Sequence, residues 1–187
     1  MNGSPSRDDH REFLDATMPH LDVVYRIARH SGADWCTAQD LVQETYLRAF
    51  AHFGQLRGGD ARAWLAAICV NVARSETRRR RRRPVEVRET EAQEIAGEPE
   101  EVAELALASL DRDAIEAGLA RLPPEQRWCI LLMDVAGYTA RETAQILGCP
   151  RGTVLARVHR GRRRLAGLLT GYRDSGQVEG EVDRGPA

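Results

Sequence analysis

Apolar residues recur along this chain at steps of three and four, the spacing that gathers them on one face of an α-helix, and no stretch alternates as a strand pair would. Phe13, Leu14, Met18, Leu21, Val24, Tyr25 and Ala28 predict a first amphipathic helix. Pro19 should kink or split it, because proline removes an N–H and clashes with the preceding turn. After Ser31-Gly32 a second helix is predicted from about Thr37 to Phe53, with Leu41, Thr45, Ala49 and Phe53 on one side. Gly54, Gly58 and Gly59 then form a loop, and Asp60 is suited to cap a third helix. The apolar face of that helix carries Trp64, Leu65, Ile68 and Val72, and the helix should stop by Pro84.

Residues 84–108 are Glu-rich, carry Gly97 and Pro99, and offer too little apolar material for a core. The helical pattern returns with Ile115, Leu119 and Leu122, then Trp128, Ile130, Leu131, Leu132 and Val135. The predicted fold is all-α. A disordered N-terminus (1–10) precedes a helical domain (11–83), an acidic flexible linker (84–108), a second helical domain (109–170) and a disordered tail (171–187).

The sharpest local signal lies between Tyr138 and Leu165. Thr139 followed by Glu142 is a capping-box pattern that starts a helix, and Gly148 suits the left-handed residue that ends it. Ala144 is small where two helices must approach, and Pro150 can open the next helix at its first position. Val154, Val158 and Leu165, with Gly161 between them, form a buried stripe, while Thr153, Arg157, Arg160 and Arg164 share another side. This is the layout of a helix-turn-helix whose second helix enters a major groove. A plain helical hairpin with a solvated arginine face has the same spacing.

Charge sharpens the picture. The 187 residues carry a formal net charge of only −1, yet the signs are segregated. An unbroken arginine run spans 78–83, a second arginine cluster spans 157–164, and glutamates crowd the stretch between. Two basic segments on an acidic tether point to a polyanion. Every basic residue is arginine, which the codon bias of a GC-rich genome also produces. No apolar run approaches the roughly 20 residues that span a bilayer, and the polar start has no signal-peptide core. A soluble, cytoplasmic chain is expected. Cys36, Cys69, Cys129 and Cys149 are far apart with no C-x-x-C pair, so neither a metal site nor a cofactor is expected. Nucleophile elbow, phosphate loop and paired catalytic carboxylates are all missing from the sequence, so no enzyme is expected either.

Two groups in the first half remain. Asp40, Gln43 and Glu44 share a helix face, as an interface or as an ordinary solvated surface. Asn71, Arg74 and Arg78 border the Trp64/Ile68/Val72 stripe, suited to base and backbone contacts or merely forming its polar rim.

The stretch Asp40-Leu41-Val42-Gln43-Glu44-Thr45-Tyr46-Leu47-Arg48-Ala49-Phe50 resembles region 2.2 of the extracytoplasmic-function (ECF) group of sigma-70 family RNA polymerase sigma factors. Leu56-Arg57-Gly58-Gly59-Asp60-Ala61-Arg62-Ala63-Trp64-Leu65, followed by Ile68, Asn71 and a basic helix end, is similar to regions 2.3 and 2.4. Arg121-Leu122-Pro123-Pro124-Glu125-Gln126-Arg127 and the segment from Gly137-Tyr138-Thr139 to Gly152-Thr153-Val154 resemble region 4. The resemblance implies a sigma factor that binds core RNA polymerase and directs promoter recognition and melting. It implies that Asp40, Gln43, Glu44 and Arg48 dock the β′ clamp helices. It assigns Arg57, Gly59, Asn71, Arg74 and Arg78 to the −10 element, with a flipped base held in the loop before the third helix. Region 4 would sit on the β flap and set Arg151, Thr153, Arg157, Arg160 and Arg164 against the −35 element. An anti-sigma factor is an implied partner. Leu155 and Ala156 depart from the family, many of whose members have a basic residue and serine there. Two other readings stand beside this one: a free-standing helix-turn-helix regulator with an N-terminal sensing or dimerisation domain, and a thiol- or zinc-based redox sensor, which the cysteine spacing disfavours.

Overall fold

The computed structural model describes residues 7–31, 35–56, 59–82 and 113–178, and all the regular structure among them is helical. Arg57, Gly58 and the linker 84–108 lie outside the described residues. The first half comprises α1 (Arg7–Thr17), a 3₁₀ turn (Met18–His20), α2 (Leu21–Arg29), α3 (Trp35–Ala51), a second 3₁₀ turn (Phe53–Gln55) and α4 (Ala61–Arg82). The second half begins with α5 (113–120). It continues with α6 (Pro124–Ile130), a π-helical turn (Leu131–Val135), α7 (Ala140–Leu147) and α8 (Arg151–Val178).

Pro19 splits the first predicted helix, placing the 3₁₀ turn between α1 and α2. Leu14, Met18 and Tyr25, expected in the core stripe, are exposed. Phe13 and Thr17 take the inward line instead. Thr17 is buried at no polar cost, because its hydroxyl donates to the Phe13 carbonyl at 2.7 Å. Thr45 repeats the device, donating to Leu41 at 2.6 Å. Phe13 then meets Phe50 and Phe53 edge-on, with ring centroids 5.1 and 5.3 Å apart. Asp60 caps α4 as predicted, accepting from the backbone N–H groups of Arg62 (2.9 Å) and Ala63 (3.3 Å). From there Leu65, Ala66, Cys69, Val70, Val72 and Ala73 are buried.

Both chain ends of the fold are more helical than expected. Residues 7–10 belong to α1, with Asp8 and Asp9 at the N-terminal turn, where the helix dipole favours carboxylates. Residues 171–178, expected to be disordered, continue α8. Gly171 costs only about 1 kcal/mol in a helix relative to alanine, and no proline follows until Pro186.

The helix-turn-helix forms as read. Thr139 Oγ1 accepts from the Glu142 N–H (3.3 Å), and the Glu142 carboxylate accepts from the Thr139 N–H (2.7 Å), which completes the capping box. Gly148 ends α7 in the left-handed region at φ 64°. Pro150 stands one residue ahead of α8, and its carbonyl accepts from Thr153 at 3.0 Å. Gly161 marks a close approach: a Cβ there would lie 2.7 Å from Ile130 Cδ1, so the end of that side chain would have to shift. Thr139→Ala should lower stability by about 1 kcal/mol, the ordinary worth of an N-cap side chain, as read by denaturant unfolding. Bonds from Thr139 hold the Glu142 carboxyl below its ordinary value. The contribution of the box is therefore present at neutral pH and lost as the pH falls through that folded-state value.

The two halves share one core. Leu119, Leu122, Trp128, Leu131, Leu132, Tyr138 and Ile146 belong to the same buried cluster as Val24, Ile27, Leu65 and Val70. The π-helical turn explains the polar part of this contact. Its wider winding bonds Ala136 N–H to the Leu131 carbonyl (2.8 Å). The Val135 and Ala136 carbonyls accept from side chains of the first half, Arg26 to Val135 at 3.3 Å and Arg62 to Ala136. The Arg62 guanidinium also lies 4.0 Å from the Tyr138 ring centroid, while the Tyr138 hydroxyl donates to the Arg62 carbonyl at 2.8 Å. Burial pushes that hydroxyl up to about 12, so it remains a donor. Arg29 pairs with Glu116 at 3.0 Å.

Candidate nucleic-acid interface

The helical period brings Asp40, Gln43 and Glu44 onto one side of α3, and all three reach solvent. Arg48 donates to Glu44 at 2.6 Å, one turn along. Leu47 stands on the same side and is 59% exposed, the largest exposure among the bulky apolar residues of the described structure. The sequence reading missed it, although the i, i+3, i+4, i+7 spacing from Asp40 places it there. Together with Asp40, Gln43 and Glu44, this leucine gives that side of α3 an acidic surface with an apolar end.

On α4, Asn71 and Arg78 are exposed and Arg74 is half-buried. Gly59 is exposed at the foot of the helix, and Arg57 lies outside the described residues. The arginine run stays helical to Arg82. Glu76 pairs with Arg79 (2.9 Å) and Arg80 (3.2 Å), leaving Arg78 on the outer side. Arg74 turns toward the second half, its guanidinium 6.0 Å from the Trp128 ring centroid. Burial first, then the charges of Arg78 and Arg157, hold the Arg74 guanidinium below its ordinary value.

On α8 the buried stripe is Val154, Val158 and Gly161, with Leu165 partly buried. Arg151, Arg160 and Arg164 are exposed, and Thr153 is half-buried. Arg157 is also half-buried and donates to Glu125 at 2.8 Å, so it does not stand free beside Arg160 as expected. Arg162 is engaged likewise at Asp134, 3.0 Å away. The side opposite the stripe carries Gly152, Ala156, His159 and Arg163, with Leu155 at its edge, all exposed. The sequence reading passed over His159 and counted Arg163 only within the arginine cluster, although the Val154/Val158/Gly161 register fixes their direction.

Cys69 and Cys129 are buried, and burial pushes their thiols up to about 12 and about 11. Protonated thiols of this kind are poor nucleophiles and poor ligands, which weighs against redox sensing at these two. Cys36 has no described side chain. Among the described residues no group of three potential ligands is gathered for a metal, and no helix is long and apolar enough to cross a membrane.

Comparison with known proteins accounts for both halves. The family described as "Sigma-70 region 2" matches residues 17–83, and "Sigma-70, region 4" matches residues 112–165. The ECF RNA polymerase sigma factor EcfG of Rhodopseudomonas palustris is 34% identical, the alignment covering 97% of this chain and 93% of that protein. The ECF sigma factor SigM of Mycobacterium tuberculosis is 34% identical over 84% of this chain and 76% of its own length. SigE of Mycolicibacterium smegmatis is 33% identical over 80% of this chain, which spans 58% of that longer protein. Among solved structures, the sigma factor RpoE in complex with the anti-sigma factor NepR from Bartonella quintana has a TM-score of 0.67 at 26% identity. It covers 87% of this chain and 98% of that one. CnrH in complex with the cytosolic domain of CnrY has a TM-score of 0.61, also at 26% identity, over 87% and 90% of the two chains. With sigma regions 2 and 4 in order, and a relative aligned over nearly its whole length, this chain belongs to the ECF RNA polymerase sigma factors.

Proposed function

We propose that this protein binds core RNA polymerase in the cytoplasm and directs it to promoters, as an initiation subunit and not as a catalyst. The observation that carries the reading is the presence, in one chain, of region 2 and region 4, each presenting an exposed polar helix face. The α3 face of Asp40, Gln43, Glu44, Leu47 and Arg48 docks the β′ clamp helices. Gly59, Asn71, Arg74 and Arg78, with Arg57 before them, serve the −10 element. The second half sits on the β flap and sets α8, through Arg151, Thr153, Arg157, Arg160 and Arg164, against the −35 element. An anti-sigma factor is the partner class that the RpoE–NepR complex suggests.

The test is run-off transcription from a genomic template library with reconstituted holoenzyme. Discrete transcripts should appear that core polymerase alone does not make. Arg160→Ala should reduce them by about tenfold, through loss of a guanidinium contact to the −35 duplex. Sequence-specific duplex binding by the free protein, with no effect on core polymerase, would instead identify a free-standing regulator.

A further inference from the structure

We infer that Leu155, with Ala156 beside it, reads the C5-methyl group of a thymine in the −35 duplex, an inference that rests on α8 being the −35-contacting helix. Leu155 is 42% exposed, while the inward side of α8 is already filled by Val154, Val158 and the close approach at Gly161. A lone exposed leucine on a surface is ordinary. The position of this one is not. It is the fifth residue of α8, within the opening turns that a recognition helix presents to base edges. Exposed Arg151 and Arg160 stand one turn before it and five residues after it, positive charges fit to hold the phosphates on either side.

Between those arginines, Leu155 and Ala156 offer neither a donor nor an acceptor. A guanine placed there would leave its O6 and N7 acceptors without a protein partner, an adenine its N7 acceptor and N6 donor, and a cytosine its N4 donor; a thymine leaves only O4, and its methyl offsets that loss. Thymine alone presents a methyl group in the major groove, and apolar side chains are its natural contact. The −35 sequence of this sigma factor should therefore carry a thymine whose methyl is the recognised atom.

Replacing thymine by deoxyuridine deletes that methyl and keeps the base pair. Holoenzyme is assembled with the full chain, its preferred −35 sequence is selected from a randomised library, and each thymine in turn is replaced by deoxyuridine. One replacement should weaken binding about fourfold, the worth of burying a single methyl group. Leu155→Ala should weaken binding to the thymine duplex by a similar factor and abolish the difference between thymine and deoxyuridine. Leu155→Arg should shift the selected base at that position toward guanine. Tolerance of deoxyuridine at every position, or an unchanged penalty in Leu155→Ala, overturns the inference while leaving −35 recognition intact. If scrambling the whole −35 sequence leaves holoenzyme affinity unchanged, the role assigned to α8 falls, and this inference with it.

Discussion

A variant with Asp40→Ala, Gln43→Ala and Glu44→Ala together binds core polymerase about 30-fold or more weakly than the parent, yet unfolds at the same denaturant concentration. The first half of this expectation follows from the face itself. Three polar side chains lead up to the exposed Leu47 on a single side of α3, and removing all three from an interface is expected to cost about 2 kcal/mol or more, the worth of one hot-spot residue. The second half follows from what the face does not do. The inward line of α3 is Leu41, Thr45 and Ala49, all buried, and none of the three substituted positions belongs to it. Glu44 does pair with Arg48, but both partners are nearly half exposed. Such a pair contributes at most about 1 kcal/mol and often much less. Pull-down with core polymerase, run beside urea unfolding, reads both quantities. Unchanged affinity would remove α3 from the polymerase surface.

The largest effect on stability is expected at Leu132. It is fully buried, and Leu132→Ala should cost about 2–5 kcal/mol through lost burial and a residual cavity. The position also makes a sharper point. Leu132 lies in the cluster to which both halves contribute, and the π-helical turn around it provides the carbonyls that Arg26 and Arg62 reach. The loss should therefore be felt in both halves. Fluorescence from variants that retain only Trp64, in the first half, or only Trp128, in the second, should report the same lowered midpoint. Two separate transitions, with the Trp64 signal unmoved, would mean that the halves fold independently.

Much of this architecture was legible in the chain. Local chemistry was read well where one residue settles one turn: the Asp60 cap, the Thr139–Glu142 box and the left-handed Gly148 all formed as predicted. The buried stripe of α8 was also read correctly, because Val154, Val158 and Gly161 repeat at helical spacing. The failures have a common physical origin. In the first helix periodicity favoured Leu14 and Met18 over Thr17, a polar residue whose hydroxyl satisfies itself on the preceding turn. Periodicity shows that a face is apolar but not what covers it, so the core that the two helical domains share went unforeseen. Pairings between distant residues, such as Arg157 with Glu125, leave no local trace. The roles given to Asn71, Arg74 and Arg78 came from family resemblance and not from spacing.

That last pairing changes what the arginine-rich helix presents to a nucleic acid. An arginine that binds a phosphate from solution releases a condensed counterion from the DNA, and each such contact steepens the fall of affinity with salt by about 0.9 logarithmic units. Arg157 already holds Glu125, and Arg162 already holds Asp134. For these two, meeting a phosphate means parting from a carboxylate of the same chain, so the attraction gained is offset by the attraction given up. The helix is therefore less cationic in effect than its row of guanidinium groups suggests. The share of the ionic-strength dependence that α8 contributes to promoter binding should be carried by the exposed Arg151, Arg160, Arg163 and Arg164.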